Sequence, residues 1–315
     1  MKLVDIIDDY HPIFLLYVLL SENVQSQMKL FAAGAAQPKL GIYKLKEISV
    51  PFPPFEYQKK TANFLLDFDI LINTNLRCIK VLEELAKSLY DEWFVRLRFP
   101  GHEYMEITQT EHGPTPKGWK WESLENTCEY ISRGISPKYD ENSNCRVINQ
   151  RCIRENKINY ELTRGNLRKV NPKKFVKYGD VLINSTGVGT LGRVAQVYSQ
   201  IENHTVDSHV TIVRPGLKLN LDYLGLTLFD KENYLESLGV GATGQTELNK
   251  SAISRIEIII PPIELQDSFS HLVNPIRTQI EILLQKKKKL TDIHDLLLPK
   301  LISGEIDISD IDIAV

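Results

Sequence analysis

Long apolar runs are missing from this sequence. No stretch of eighteen or more apolar residues occurs, and the apolar segment Ile13–Leu20 is short, lacks a basic lead and follows Asp5, Asp8 and Asp9. It reads as neither a membrane span nor a secretory signal. Cysteine is scarce too. Cys78, Cys128, Cys145 and Cys152 form no C-x-x-C pair, so the ligand spacing of a zinc site is absent and no metal is expected. Scattered thiols of this kind fit the reducing cytoplasm. Nor is there an excess of charge of one sign: 38 Lys and Arg against 40 Asp and Glu leave a net of −2. Bulk charge therefore announces no nucleic-acid partner, and any such case has to rest on local clustering. What remains is an ordinary globular composition, 43% apolar over 315 residues, long enough for two domains.

The chain repeats itself at long range. Gln37, Leu40, Ile48, Pro53, Pro54, Glu56 and Gln58 match Gln245, Leu248, Ile256, Pro261, Pro262, Glu264 and Gln266, every pair 208 residues apart. Seven identities in one register mark an internal repeat. Each copy has the same grammar. An apolar strand is stopped by Pro-Pro, which cannot donate backbone hydrogen bonds and sets an extended turn. A helix follows, with Glu in its first turn where the helix dipole favours negative charge.

Both helices keep a seven-residue rhythm. In the first, Leu65, Ile72, Ile79, Ala86 and Trp93 share one seam position, and Phe68, Asn75, Leu82 and Leu89 share the other. The second gives Val273, Ile280, Lys287, His294 and Leu301, with Ile276, Leu283, Leu290 and Leu297. That pattern predicts a coiled coil, with Asn75, Lys287 and His294 as polar exceptions that set register or partner choice. Two amphipathic helices in an ordinary bundle are the plainer alternative. Between the helices the texture changes. Short β-rich runs (Cys145–Ile148, Asp180–Ile183, Arg193–Tyr198, His209–Val213) alternate with Gly, Asn and Ser loops, giving helix, mixed β-rich domain, helix.

With these features the sequence resembles the specificity subunits of type I restriction-modification systems. The resemblance is carried by Gly179–Ile183 with Ser185, Gly187 and Gly192-Arg193, by Gly241–Gln245 followed by Ile256–Pro262, and by Leu296–Glu305. It implies an α+β chain: a β-rich target-recognition domain flanked by two long spacer helices that pack as an antiparallel coiled coil. The expected segments are 1–54, the end of a first recognition domain; 55–102, a central spacer helix; 103–262, a complete recognition domain; and 263–315, a distal spacer helix and tail. On this reading the chain is shortened at its N-terminus. It would read one half of a split target on double-stranded DNA. Methyltransferase subunits, and through them restriction subunits, would dock on the helices, and half-subunits could pair with one another. Catalysis, S-adenosylmethionine and ATP would belong to the partners, so no catalytic residue and no cofactor are expected here. The alternative is a shortened scaffold that binds partner subunits without useful DNA recognition.

DNA contact is expected in the middle domain. Between residues 133 and 193 thirteen bases face five acids, a local excess of eight, as a phosphate-tracking face requires. The candidate contacts are Lys138, Arg146, Asn149, Gln150, Arg151, Arg154, Lys157, Arg164, Arg168, Lys173, Lys174, Ser185, Thr186, Arg193, Thr243, Gln245 and Lys250. Asn142, Asn144, Asn149 and Gln150 are amides of the type that reads adenine edges, while arginine grips guanine. A solvated surface is the plain reading of the same charges, and a tight turn is the plain reading of the glycines before Gln245.

Other signals point elsewhere than chemistry. Gly187-Val-Gly-Thr-Leu-Gly192 has the letters of a dinucleotide loop, but the β-like Arg193–Tyr198 follows where a helix would be needed. It reads as strand, turn, strand. Pro53-Pro54-Phe55 lacks the polar residue of an adenine methyltransferase motif, Phe52 standing in its place. His204 and His209 bracket Asp207 without a third ligand and read as loop and strand-end histidines. Lys286–Lys289 points around the whole circumference of a helix.

Overall fold

The computed structural model describes residues 9–32, 39–51, 53–241 and 246–308. Its first part runs through helices α1 (Pro12–Leu20), α2 (Glu22–Phe31), the one-turn α3 (Ile42–Leu45) and the long α4 (Phe55–Tyr90). The middle part holds β1 (Ile107–Thr110), β2 (Gly113–Pro116), β3 (Lys120–Ser123), α5 (Leu124–Thr127), β4 (Cys128–Arg133), β5 (Arg146–Ile148), β6 (Ile153–Arg154), β7 (Lys157–Ile158) and β8 (Arg164–Gly165). There follow β9 (Val181–Asn184), β10 (Val194–Gln196), β11 (His204–Val206) and β12 (Val210–Pro215). The chain ends with α6 (Leu221–Asp230), α7 (Glu232–Ser237), α8 (Lys250–Ser254), β13 (Glu257–Ile260) and the long α9 (Ile263–Ser303). The fold is thus mixed helix and sheet, with one long helix before and one after a β-rich stretch in chain order, as expected. Two compact units emerge, one of residues up to Leu82 with those from Gln279 onward, the other Glu83–Thr278.

In the first unit α4 and α9 run antiparallel: the Tyr57 hydroxyl donates to the Leu301 carbonyl at 2.8 Å, and the Phe68 ring lies 6.4 Å from His294. Leu65, Asn75, Ile79 and Leu301 are buried, and Phe68, Ile72, Leu82, Ile280, Leu283, Lys287, Leu290, His294 and Leu297 are half-buried. The heptad seam therefore marks the packed face, polar exceptions included. At one end the seam merges with a cluster of Tyr10, Phe14, Tyr17, Val18, Val24, Ala62, Leu65, Leu301 and Ile302. The Tyr17 hydroxyl is fixed there by Asp69 at 2.6 Å.

In the second unit the β10-β9-β12-β4 sheet is the frame. Its strands alternate faces, as period-two geometry dictates. Val181, Ile183, Val194 and Val213 join the core shared with Tyr223, Leu224, Leu228, Phe269 and Val273. Leu182, Ala195, Val210 and Ile212 face a second core with Ile148, Cys152, Ile153 and Val206, the last reached through the β11-β5-β8 sheet. The four β-rich runs seen in the sequence are β5, β9, β10 and β12. The seam continues here through buried Ala86, Trp93 and Val273 and half-buried Leu89 and Ile276. The first long helix stops short of residue 102. After Tyr90 the chain continues as a π turn, Asp91–Val95, in which Trp93 and Phe94 are both buried. The distal helix stops at Ser303, ahead of Gly304 at φ 77°, a left-handed position that suits glycine after a helix.

The repeat is structural as well as textual. Buried Gln58 accepts from the His11 amide at 2.9 Å and donates to the carbonyls of Pro53 (2.8 Å) and Asp9 (3.3 Å). Buried Gln266 accepts from the Asn220 amide at 2.9 Å and donates to Pro261 (2.8 Å) and Lys218 (3.0 Å). Each glutamine ties the Pro-Pro turn and its own long helix to the start of the shorter helix, α1 or α6. The order α1, α2, α3, α4 thereby corresponds to α6, α7, α8, α9. The copies differ where α6 meets a sheet. A Cβ on Gly225 would come within 1.8 Å of Gln196 Oε1 on β10, whereas its counterpart Leu16 is 40% exposed.

Candidate nucleic-acid interface

One edge of the second unit gathers its loops. The C-terminal ends of β4 and β9 and the N-terminal end of β12 lie together, because Arg133 pairs with Thr211 and Asn184 with Val210. β5 and β11 are parallel and end side by side at Ile148 and Val206. Residues 134–145, 149–152, 185–193 and 207–209 all leave this edge. The Leu248 amide donates to the Ser185 carbonyl at 2.9 Å and draws 246–249 in beside them. Gly134 is required here, since a Cβ would meet the Val206 carbonyl oxygen at 1.9 Å.

The expected contact residues divide by what their side chains already do. Arg146 is held by Thr163 and Glu141. Arg164 pairs with Glu141 at 3.0 Å and covers the Tyr139 ring at 3.9 Å; this pairing, with burial only opposing it, holds the Glu141 carboxyl below its ordinary range. Lys157 pairs with Glu83 on α4 at 2.7 Å, and Lys174 donates to the Gly134 carbonyl. Arg133 is neutralised by Glu247. Lys138, Arg151, Arg154, Arg168, Lys173 and Lys250 are exposed and make no side-chain hydrogen bond or ion pair among the described residues. Lys138, Arg151 and Lys250 stand on or next to the loops of the edge, while Arg154 belongs to the β6–β7 hairpin. Arg193 is half-buried and close enough to Glu232 to favour its ionised form, although burial pushes the Glu232 carboxyl up overall. Of the thirteen bases, Arg133, Arg146, Lys157 and Arg164 are thus already in ion pairs.

The polar candidates divide too. Asn149 is buried and caps the turn Gln150–Cys152 by accepting from the Arg151 amide at 2.9 Å. Ser185 is fully buried, its hydroxyl 2.7 Å from Thr211. Both shape the edge from beneath. Gln150 and Thr186 remain half-exposed on it, joined at 2.9 Å. Thr243 and Gln245 lie outside the described residues.

His209, which in the sequence reads as a loop or strand-end histidine, also stands on this edge. It is exposed, with Nδ1 2.8 Å from Thr186 Oγ1, and its amide is fixed by buried Asp207 at 2.9 Å. Burial raises the Asp207 carboxyl despite that bond. No spacing rule selects His209; only the meeting of the β9–β10 and β11–β12 loops does. Gly187, Gly189 and Gly192 all have positive φ, and the segment turns from β9 straight into β10, strand, turn, strand as expected. Among the described residues no three of His, Cys, Asp and Glu are grouped to hold a metal. No described helix is long and apolar enough to cross a membrane.

Residues 2–84 and 116–292 match the family described as type I restriction modification DNA specificity domain. The chain is 26% identical over 316 residues to the type I restriction enzyme MjaIX specificity subunit of Methanocaldococcus jannaschii, covering 95% of this chain and 70% of that protein. It is 22% identical over 363 residues to the type I restriction enzyme HindI specificity subunit of Haemophilus influenzae, covering 94% and 77%. Among solved structures, the type I restriction-modification S subunit from M. genitalium aligns with a TM-score of 0.57 at 17% identity, over 92% of this chain and 72% of that one. That likeness is one of fold.

Proposed function

The chain belongs to the type I restriction modification DNA specificity family, and from that premise we propose that its loop edge reads one half of a split target on double-stranded DNA. The observation that carries the proposal is the loop edge itself, where exposed Lys138, Arg151 and Lys250 have no ion-pair partner among the described residues beside the half-exposed Gln150–Thr186 pair. Unpaired cations take phosphate, and fixed polar tips take base edges. The segments 1–54, 55–102, 103–262 and 263–315 then serve as the end of one recognition domain, spacer helix, recognition domain and distal spacer helix. The protein performs no catalysis and acts in the cytoplasm.

Methyltransferase subunits, and restriction subunits through them, dock on the spacer helices. In support, Ile70, Leu71, Leu76 and Val81 of α4 and Ile282, Ile293 and Leu296 of α9 lie off the seam and are at least 42% exposed. Ile70 and Val81, and likewise Ile282 and Ile293, are eleven residues apart and return to one helix face; exposed apolar side chains so placed favour a protein partner, and a second half-subunit is another candidate for that role. The test is binding of labelled duplexes by the full chain with its methyltransferase subunit. Affinity is expected to depend on sequence and to fall steeply between about 50 and 200 mM salt. Affinity indifferent to both refutes the proposal. The scaffold reading is favoured by the ion pairs that occupy Arg133, Arg146, Lys157 and Arg164. Co-elution with the methyltransferase subunit, without any shift of DNA, would select it.

A further inference from the structure

One polar side chain on the loop edge is held from every side but the outward one. Gln150 opens the turn Gln150–Cys152, which Asn149 caps, and the Nδ2 of fully buried Asn184 donates to the Gln150 carbonyl at 3.1 Å. Its carboxamide lies against Gly187, at φ 104°, where a Cβ would stand 3.1 Å from Nε2 and 3.2 Å from Oε1. Thr186 Oγ1 donates to Gln150 Oε1 at 2.9 Å, and the same oxygen is 2.8 Å from His209 Nδ1. A hydroxyl has one proton. With that proton given to Gln150, the contact to His209 is a hydrogen bond in the tautomer that carries its proton on Nδ1, which then donates to Thr186. In that tautomer the imidazole sets the hydroxyl, and the hydroxyl sets which end of the amide faces inward.

What is left outward is specific. Gln150 Oε1 keeps a second lone pair, and Nε2 has no hydrogen-bond partner among the described residues, so both of its hydrogens remain available. An acceptor beside a donor is the complement of adenine, whose major-groove edge offers the N6 amine and the N7 acceptor; guanine offers two acceptors there. Asn142 and Asn144 are exposed as well, but no side-chain hydrogen bond fixes their amides.

We infer that Gln150 is the specificity-determining residue of this edge, that the base it reads is an adenine of the target, and that Thr186 and His209 are its positioning residues. The inference rests on the DNA-recognition reading. To test it, the full-length chain, wild type or variant, is equilibrated with a random-sequence duplex pool, and the bound DNA is sequenced. Thermal unfolding confirms that the variants fold. The wild type is expected to enrich a motif with a fixed adenine. Gln150→Glu replaces the donor with a second acceptor, so cytosine, which offers its N4 amine, should displace adenine at that one position. Affinity for the wild-type site should fall about 10- to 100-fold. Thr186→Val keeps the shape without the hydroxyl and should blur the adenine preference with the rest of the motif intact. Should Gln150→Glu fail to fold, Gln150→Ala should lose the preference and gain none. An unchanged adenine in the motifs of the folded variants overturns the inference alone. A wild-type chain that enriches no motif overturns the DNA reading, and the inference with it.

Discussion

Replacing Gln266 with leucine tests whether the repeated glutamine is a structural clamp. Leucine nearly conserves the volume, so the cavity contribution is small and the loss is that of three hydrogen bonds: one from the Asn220 amide, two to the carbonyls of Lys218 and Pro261. Two of these bonds, from the Asn220 amide and to the Lys218 carbonyl, hold the start of α6, whereas the bond to Pro261 stays within the Pro-Pro turn and its own helix; at about 1 kcal/mol net for each, the start of α6 should open about 2 kcal/mol more easily. Because 1.4 kcal/mol is tenfold, amide exchange across residues 218–224 should accelerate roughly thirtyfold. Hydrogen exchange read by mass spectrometry follows that segment without assuming two-state unfolding of a two-unit chain. Gln58→Leu should produce the matching acceleration across residues 9–15, a little smaller because its bond to Asp9 is longer, 3.3 Å against 3.0 Å. Gln266→Glu should be worse than leucine, since it turns a carboxylate oxygen toward two carbonyls that have lost their donor. Unchanged exchange around Asn220 in Gln266→Leu would refute the reasoning.

Three further outcomes are expected. Gly225→Ala should destabilise the second unit by about 1–3 kcal/mol in urea unfolding, because its Cβ would collide with a Gln196 amide already bonded to the Gly179 and Leu221 carbonyls; a neutral effect would mean that β10 yields. His204 has its pKa lowered from 6.5 chiefly by burial, with Arg146 adding to the effect and the bond to the Glu202 carbonyl opposing it. The neutral ring therefore favours the fold, and its contribution, present above the unfolded pKa, is lost as pH falls through the lower folded value. Thermal stability should drop from about pH 7 to 5, and His204→Phe should flatten part of that drop; an identical profile excludes His204 as its source. Arg151→Ala should lower the slope of log affinity against log salt by about 0.9, whereas Lys157→Ala, already paired with Glu83, should leave it unchanged. Equal effects of the two would show that the ion pair does not withhold Lys157 from DNA.

The helices were legible because their information is local and periodic. A side chain at every seventh position returns to the same face whatever lies beyond it, and Leu65, Ile72, Ile79 and Leu82 are buried or half-buried as their spacing requires. Short strands were legible for the same reason, since Val181, Leu182 and Ile183 must alternate between two cores. The reason for the repeated glutamine was not legible. Gln58 and Gln266 stand out as identities, but their partners His11 and Asn220 share neither a residue type nor the 208-residue offset. What is repeated is a backbone amide, which any residue but proline supplies.

The site was less legible, and counting charges shows why. A local excess of eight treats every base as available, yet availability is settled by tertiary pairing with residues far away in the chain. Lys157 meets Glu83 and Arg133 meets Glu247, acids that lie outside residues 133–193. The same pairing separates four amides that look equivalent in sequence: Asn149 is buried beneath a turn, Gln150 is fixed above it, and Asn142 and Asn144 are left unfixed. Recognition of a base needs a polar group that is both exposed and immobile, because an amide free to rotate offers donor and acceptor in either order and discriminates little. Exposure can be guessed from composition. Immobility depends on neighbours such as Thr186 and His209, which only the meeting of two loops brings within hydrogen-bond reach. A sequence can therefore nominate a basic segment, while the residue that reads within it is chosen by the fold.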